Sequence, residues 1–154
     1  MIPGIGYGEY YPLKDFIGLT IKKKGFVFEL KEDKLFVNSI PLQGLQFVEK
    51  YVRITGEHYT SWENATQIKS TKRIDPSIGD PFVYISEPGK MKLWKEKEIR
   101  KELGCASANT EVKLTVLVPI ERVWIKVFRR VAHYAIIGMM SKEILKLAIQ
   151  KRIL

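Results

Sequence analysis

The stretch from Val118 to Leu154 leaves the chain the fewest choices: V-P-I-E-R-V-W-I-K-V-F-R-R-V-A-H-Y-A-I-I-G-M-M-S-K-E-I-L-K-L-A-I-Q-K-R-I-L is almost continuously apolar, with basic residues spaced through it. A helix tolerates proline in its first turn, where no backbone donor is needed, so Pro119 predicts a helix start. Ile120, Val123, Trp124, Val127, Val131 and Tyr134 then recur at helical spacing. Arg122, Lys126, Arg129, Arg130 and His133 fall on one face of that helix. One side is built for a core and the other is basic.

Charge is placed unevenly. Residues 1–80 hold 11 Lys/Arg against 10 Asp/Glu, and residues 81–154 hold 15 against 7, so nearly all of the net +9 lies in the second half. Such asymmetry points to a polyanionic partner, nucleic acid foremost. The 45% hydrophobic and 28% charged content fits a globular chain. With 13 Glu and 19 Lys against 4 Gln, the composition also has a thermophile's bias. No apolar run reaches membrane-spanning length, and Met1–Glu9 lacks a basic and then apolar leader, so a cytoplasmic protein is expected. A single cysteine, Cys105, excludes an internal disulfide and a thiolate cluster for a metal. Neither metal nor cofactor is expected.

Taken in order, Met1–Pro12 reads as an irregular arm. Phe16–Ile21, Phe26–Leu30 and Leu35–Val37 read as strands, with turns at Lys22–Gly25 and Lys31–Lys34. Pro41 predicts a helix whose apolar face is Leu42, Leu45, Phe47, Val48 and Tyr51, followed by a short strand at Val52–Ile54. Ser61 is a candidate N-cap for a short helix. The turn formers of Lys69–Pro81 suggest a linker. Phe82–Ile85 reads as a strand, Met91–Leu103 as a charged helix capped by Gly104, and Val112–Val118 as another strand. The expected architecture is α+β: an N-terminal lobe of hairpin and helix over residues 1–70, and a mixed α/β lobe over 71–154 with a terminal strand.

Catalytic patterns are scarce. His58 lies in an expected polar loop, and His133 has no carboxylate or nucleophile near it in sequence. Gly4-Ile5-Gly6-Tyr7-Gly8 neither follows a strand nor opens a helix, so it is no phosphate loop. Ala135–Leu154 admits two readings. One is a helix-turn-helix with Ser141 capping a recognition helix that bears Lys142, Lys146, Lys151 and Arg152. The other is strand, turn and strand, with Leu145, Leu147 and Ile149 on one face.

Phe128 with Arg130-Val131-Ala132-His133 resembles the R-V-A-H-S signature of archaeal tRNA-splicing endonucleases, which in that family lies on a helix leading into a strand, a turn and a final strand. Ile40–Ile54, Ser61-Trp62-Glu63, Gly79–Tyr84 and Val112–Pro119 are similar, in order, to further segments of the family, and together the matches touch about a third of the chain. The resemblance implies metal-free RNA cleavage by a tyrosine, a histidine and a lysine. Tyr84 matches the tyrosine; the histidine would fall near Thr110 and the lysine near Ile137, and neither residue can act as a general base. A non-catalytic, structural subunit is therefore implied, one that assembles with a catalytic sister chain through its C-terminal strand and helps hold precursor tRNA. The signature arginine stacks on an extruded base in the family, which makes Arg130, with Arg129 and Lys126 beside it, the expected RNA contact. Two alternatives stand beside this reading: a basic helix-turn-helix DNA-binding regulator and a nucleic-acid-coating structural protein.

Overall fold

Alternation of apolar residues, rather than helical period, governs most of the chain. The computed structural model describes residues 10–16, 21–23 and 26–153. In chain order the strands are β1 (Tyr11–Pro12), β2 (Ile21–Lys23), β3 (Phe26–Lys31), β4 (Lys34–Val37), β5 (Ile40–Pro41), β6 (Leu45–Val48) and β7 (Tyr51–Thr60). Helix α1 (Trp62–Thr71) precedes β8 (Phe82–Ser86), and α2 (Glu96–Leu103) precedes β9 (Thr110–Pro119), β10 (Val123–Phe128), β11 (Val131–Ile137) and β12 (Ile144–Lys151).

The larger sheet is antiparallel and runs β1-β10-β11-β8-β7-β9-β12. Strand β9 pairs along the whole of β7, while β6 pairs with the first half of β7's other edge and β8 meets the second half at Glu57–Ser86. Gly56 permits that junction, because a Cβ there would lie 2.1 Å from the Ser86 carbonyl oxygen. Strands β2 to β5 form a smaller sheet, whose Phe28, Leu35 and Val37 join the main core.

The centre of the larger sheet is covered on both faces. Val83 and Ile85 of β8, Val123 and Ile125 of β10, and Ala132, Tyr134 and Ile136 of β11 point into the main core. The alternate residues Phe82, Ser86, Lys126, Val131, His133 and Ala135 are buried too, beneath Tyr10, α2 and the turns beside it. A strand buried on both sides is apolar at both parities, and such a run matches a helical period as readily as a strand's.

This accounts for the main correction. The expected α+β architecture is not formed: among the described residues strand accounts for 49% and helix for 19%, with two α-helices. In place of the basic amphipathic helix after Pro119 stand a single 3-10 turn (Ile120–Arg122) and the β10–β11 hairpin. Its Val, Ile, Trp, Phe and Tyr content suits a pleated surface, and Arg129-Arg130 breaks the run in two. The helix expected from Pro41 is also absent. There the chain forms β5, a turn at Gln43-Gly44 and the β6–β7 hairpin. Gly44 has φ +74, and a Cβ on it would lie 2.0 Å from the Thr55 carbonyl oxygen, a backbone approach no helix residue makes.

Other expectations hold. Strands appear at 26–31, 34–37, 82–86 and 110–119, Ser61 caps α1 by accepting from the Asn64 amide, and Gly104 ends α2 in the left-handed region. The charged helix is shorter than expected, beginning at Glu96. Residues 144–151 form a strand, so the helix-turn-helix reading has no recognition helix. Arg152, assigned to that helix, has a side chain only 3% exposed, and its guanidinium donates to the carbonyls of Lys92 at 3.2 Å and Trp94 at 2.6 Å. The glycine-rich Gly4–Gly8 segment, most of the Phe16–Ile21 strand and the Lys24-Gly25 part of the first turn lie outside the described residues.

Candidate nucleic-acid interface

A two-residue link between antiparallel strands takes the primed turn geometries, which match the strands' twist. Phe128 pairs with Val131, so Arg129-Arg130 is the whole link, with φ of 53° and 64°. Asparagine and glycine take such angles readily. An ordinary side chain does so at a cost on the order of 1 kcal/mol per residue. Two arginines hold this strained position at an exposed hairpin tip.

Their surroundings are basic. The Arg129 guanidinium lies 5.4 Å from the centroid of the Phe128 ring, and these two residues border a hollow with Lys101 and Glu102 of α2. Arg130 lines a groove of about 440 Å³ with Lys90, Phe26, Pro41 and Val127. Lys90 is 3.8 Å from Glu87, but no carboxylate pairs with Lys101, Arg129 or Arg130 among the described residues. The tip and the adjoining Lys101 of α2 therefore present three cations with no carboxylate partner among the described residues, beside an aromatic ring, a pattern suited to phosphates and exposed bases.

Lys126, expected as a third RNA contact, is elsewhere. Only 4% exposed, it lies opposite His133 on the covered face, with its ammonium 5.2 Å from the Tyr10 ring centroid. Burial pushes this ammonium below its ordinary value, and the nearby Glu102 carboxylate partly counters the effect.

His133 has distant partners that sequence proximity could not show. Its Nε2 is 2.8 Å from Glu102 Oε2 and its Nδ1 is 2.8 Å from Ser86 Oγ. A carboxylate only accepts, so Nε2 carries the proton and Nδ1 accepts from the serine hydroxyl. Burial holds the imidazole below its ordinary value, with the Glu102 hydrogen bond opposing. The parts are those of an acyl-transfer relay, yet Ser86 and His133 are 1% and 0% exposed, which gives a substrate no access. Their work is to fasten α2 to the sheet.

Tyr84 is half-buried, and its hydroxyl donates to Asp80 Oδ1 at 3.1 Å. Burial first, and then Asp80, push this phenol up, so it stays protonated. His58 is not in a polar loop: it belongs to β7, and its Nδ1 lies 2.9 Å from the Tyr84 carbonyl oxygen rather than from the hydroxyl. Thr110, where the resemblance would place a catalytic histidine, is buried, and Ile137 ends β11. No cluster of three metal-ligating side chains occurs among the described residues, and none of their helices is long and apolar enough to cross a membrane.

Comparison of the chain with protein-family models, curated proteins and solved structures finds no match. The R-V-A-H segment, which lies on a helix in the endonucleases it resembles, here turns the β10–β11 hairpin and enters β11.

Proposed function

We propose that this chain is a non-catalytic nucleic-acid-binding protein that holds the phosphate backbone with the Arg129-Arg130 tip and the adjoining Lys101 of α2. The observation that carries the proposal is the pair of left-handed arginines at an exposed turn, with no carboxylate on either among the described residues. Local strain that persists against better-suited residues is characteristic of functional sites. Between Val123 and Ile136 of this hairpin Arg129 and Arg130 are the exposed residues, so the tip is the part placed to meet a ligand. The contact is therefore with backbone and exposed bases, without a helix in a groove.

Fluorescence anisotropy of labelled duplex and single-stranded RNA over a range of salt concentrations tests it. Each phosphate contact contributes roughly 0.7 to 0.9 to the slope of log affinity against log salt. Replacing both tip arginines by alanine should lower that slope by about 1.4 to 1.8. A salt-independent affinity, or an unchanged slope in the double variant, refutes the proposal.

A narrower form is a structural subunit of a tRNA-splicing endonuclease, supported by the order of its sequence resemblances and by the terminal strand β12 at the edge of the sheet. Co-expression with a catalytic subunit and an assay on bulge-helix-bulge RNA tests it. Failure of the two chains to associate rejects this form and leaves the broader one standing.

A further inference from the structure

A cleft of about 670 Å³ opens where the end of β7, the start of α1, the loop before β8 and the turn after α2 converge. Its chemistry is opposite to that of the hairpin tip. Eighteen of the described residues line it and none of these is lysine or arginine, although 26 basic residues in 154 would put about three there on average. His58 adds no charge at neutral pH, because burial holds its imidazole below the ordinary value.

Two carboxylates line the cleft. Asp75 is already neutralised by Arg73, whose Nε and Nη2 both donate to it. Asp80 is not neutralised. Its Oδ1 accepts from the Phe82 amide at 2.9 Å and from the Tyr84 hydroxyl at 3.1 Å, while Oδ2 accepts nothing among the described residues. Two donors on one oxygen fix the carboxylate and leave its second oxygen to a ligand. The rings of Phe82 and Tyr84 lie beside it, their centroids 6.3 Å apart. Asn64 also lines the cleft: its amide nitrogen donates to Thr60 Oγ1, and its carbonyl oxygen accepts from no donor among the described residues.

We infer that this cleft binds a cationic group, a guanidinium or an ammonium, with the Asp80 carboxylate as its counter-ion and the Tyr84 ring alongside. A fixed, unpaired carboxylate beside an aromatic ring attracts cations by charge and by the ring's quadrupole, and the lack of basic side chains among the described lining residues removes the repulsion that the second half of this chain otherwise presents. Phosphate is disfavoured for the same reasons, so the site is independent of the nucleic-acid surface. The cation's source is a free amine or the side chain of a polypeptide.

Titration of the full chain, followed by backbone amide shifts, tests the inference with three probes: Nα-acetyl-arginine amide, spermidine, and the uncharged isostere Nα-acetyl-citrulline amide. Saturable shifts at residues 80, 82–84 and 104–107 are expected with arginine amide or spermidine, with citrulline amide binding about tenfold or more weakly. Arginine amide alone points to a polypeptide side chain, and spermidine alone to a free polyamine. Asp80→Asn keeps an oxygen for both internal donors, so it should leave the fold intact and weaken binding about tenfold or more. Equal binding of citrulline amide, unchanged affinity in Asp80→Asn, or no saturable shift with either cation overturns the inference.

Discussion

Replacing the hairpin tip by the residues its geometry favours, Arg129→Asn with Arg130→Gly, should stabilise the fold while weakening nucleic-acid binding. Both arginines occupy positive φ, at 53° and 64°. Relieving that strain contributes on the order of 1 kcal/mol at each position, about 2 kcal/mol together. Two losses oppose it. The Arg129–Phe128 contact, 5.4 Å from guanidinium to ring centroid, is exposed and contributes about 0.5 kcal/mol. A new glycine also adds unfolded-chain freedom, which costs about 0.5 kcal/mol. The net gain is about 1 kcal/mol, which in a chain of 154 residues raises Tm by roughly 2 to 4 °C. Thermal unfolding followed by circular dichroism reads the stability, and RNA anisotropy on the same preparations reads the binding. An unchanged or lower Tm refutes the strain argument. A higher Tm with undiminished affinity refutes the assignment of the tip to nucleic acid.

Three further outcomes are expected. Glu102→Ala leaves the buried His133 Nε2–H without an acceptor and should cost about 1 to 3 kcal/mol in urea unfolding; an unchanged midpoint would show that the pair does not fasten α2. Both histidines have folded-state values below the ordinary 6.5, so on acidification the unfolded chain takes up protons the folded chain resists. Stability should therefore be full above pH 6.5 and fall as the pH drops below it, with His133→Gln giving a shallower fall; a flat profile in the parent chain over that range contradicts the burial argument. Gly56→Ala puts a Cβ 2.1 Å from the Ser86 carbonyl oxygen, forces β8 away from β7, and should cost about 3 kcal/mol or more by the same denaturant assay.

Where one face of a strand is covered and the other open, the sequence spoke plainly. The alternation in Val112–Val118 marked β9, whose Val112, Leu114, Val116 and Val118 are buried in turn. Local capping was equally legible, since Ser61 and Gly104 act on groups within a few residues of themselves. Reading failed in β10 and β11, where burial on both faces erased the period, and at Leu42–Tyr51, where a glycine approach to Thr55 decided the path.

Site chemistry divides the same way. Composition alone located the excess charge in the second half, and the sequence alone identified Arg129-Arg130 as a basic pair beside an aromatic residue. Only the tertiary structure put that pair at an exposed turn, buried Lys126 one strand pairing away, and gave His133 a serine 47 residues and a carboxylate 31 residues distant. Charge and turn chemistry act over a few neighbouring residues and survive in one dimension. Burial and long-range hydrogen bonding depend on which strands pair across the sheet, and no local pattern in this chain records that pairing.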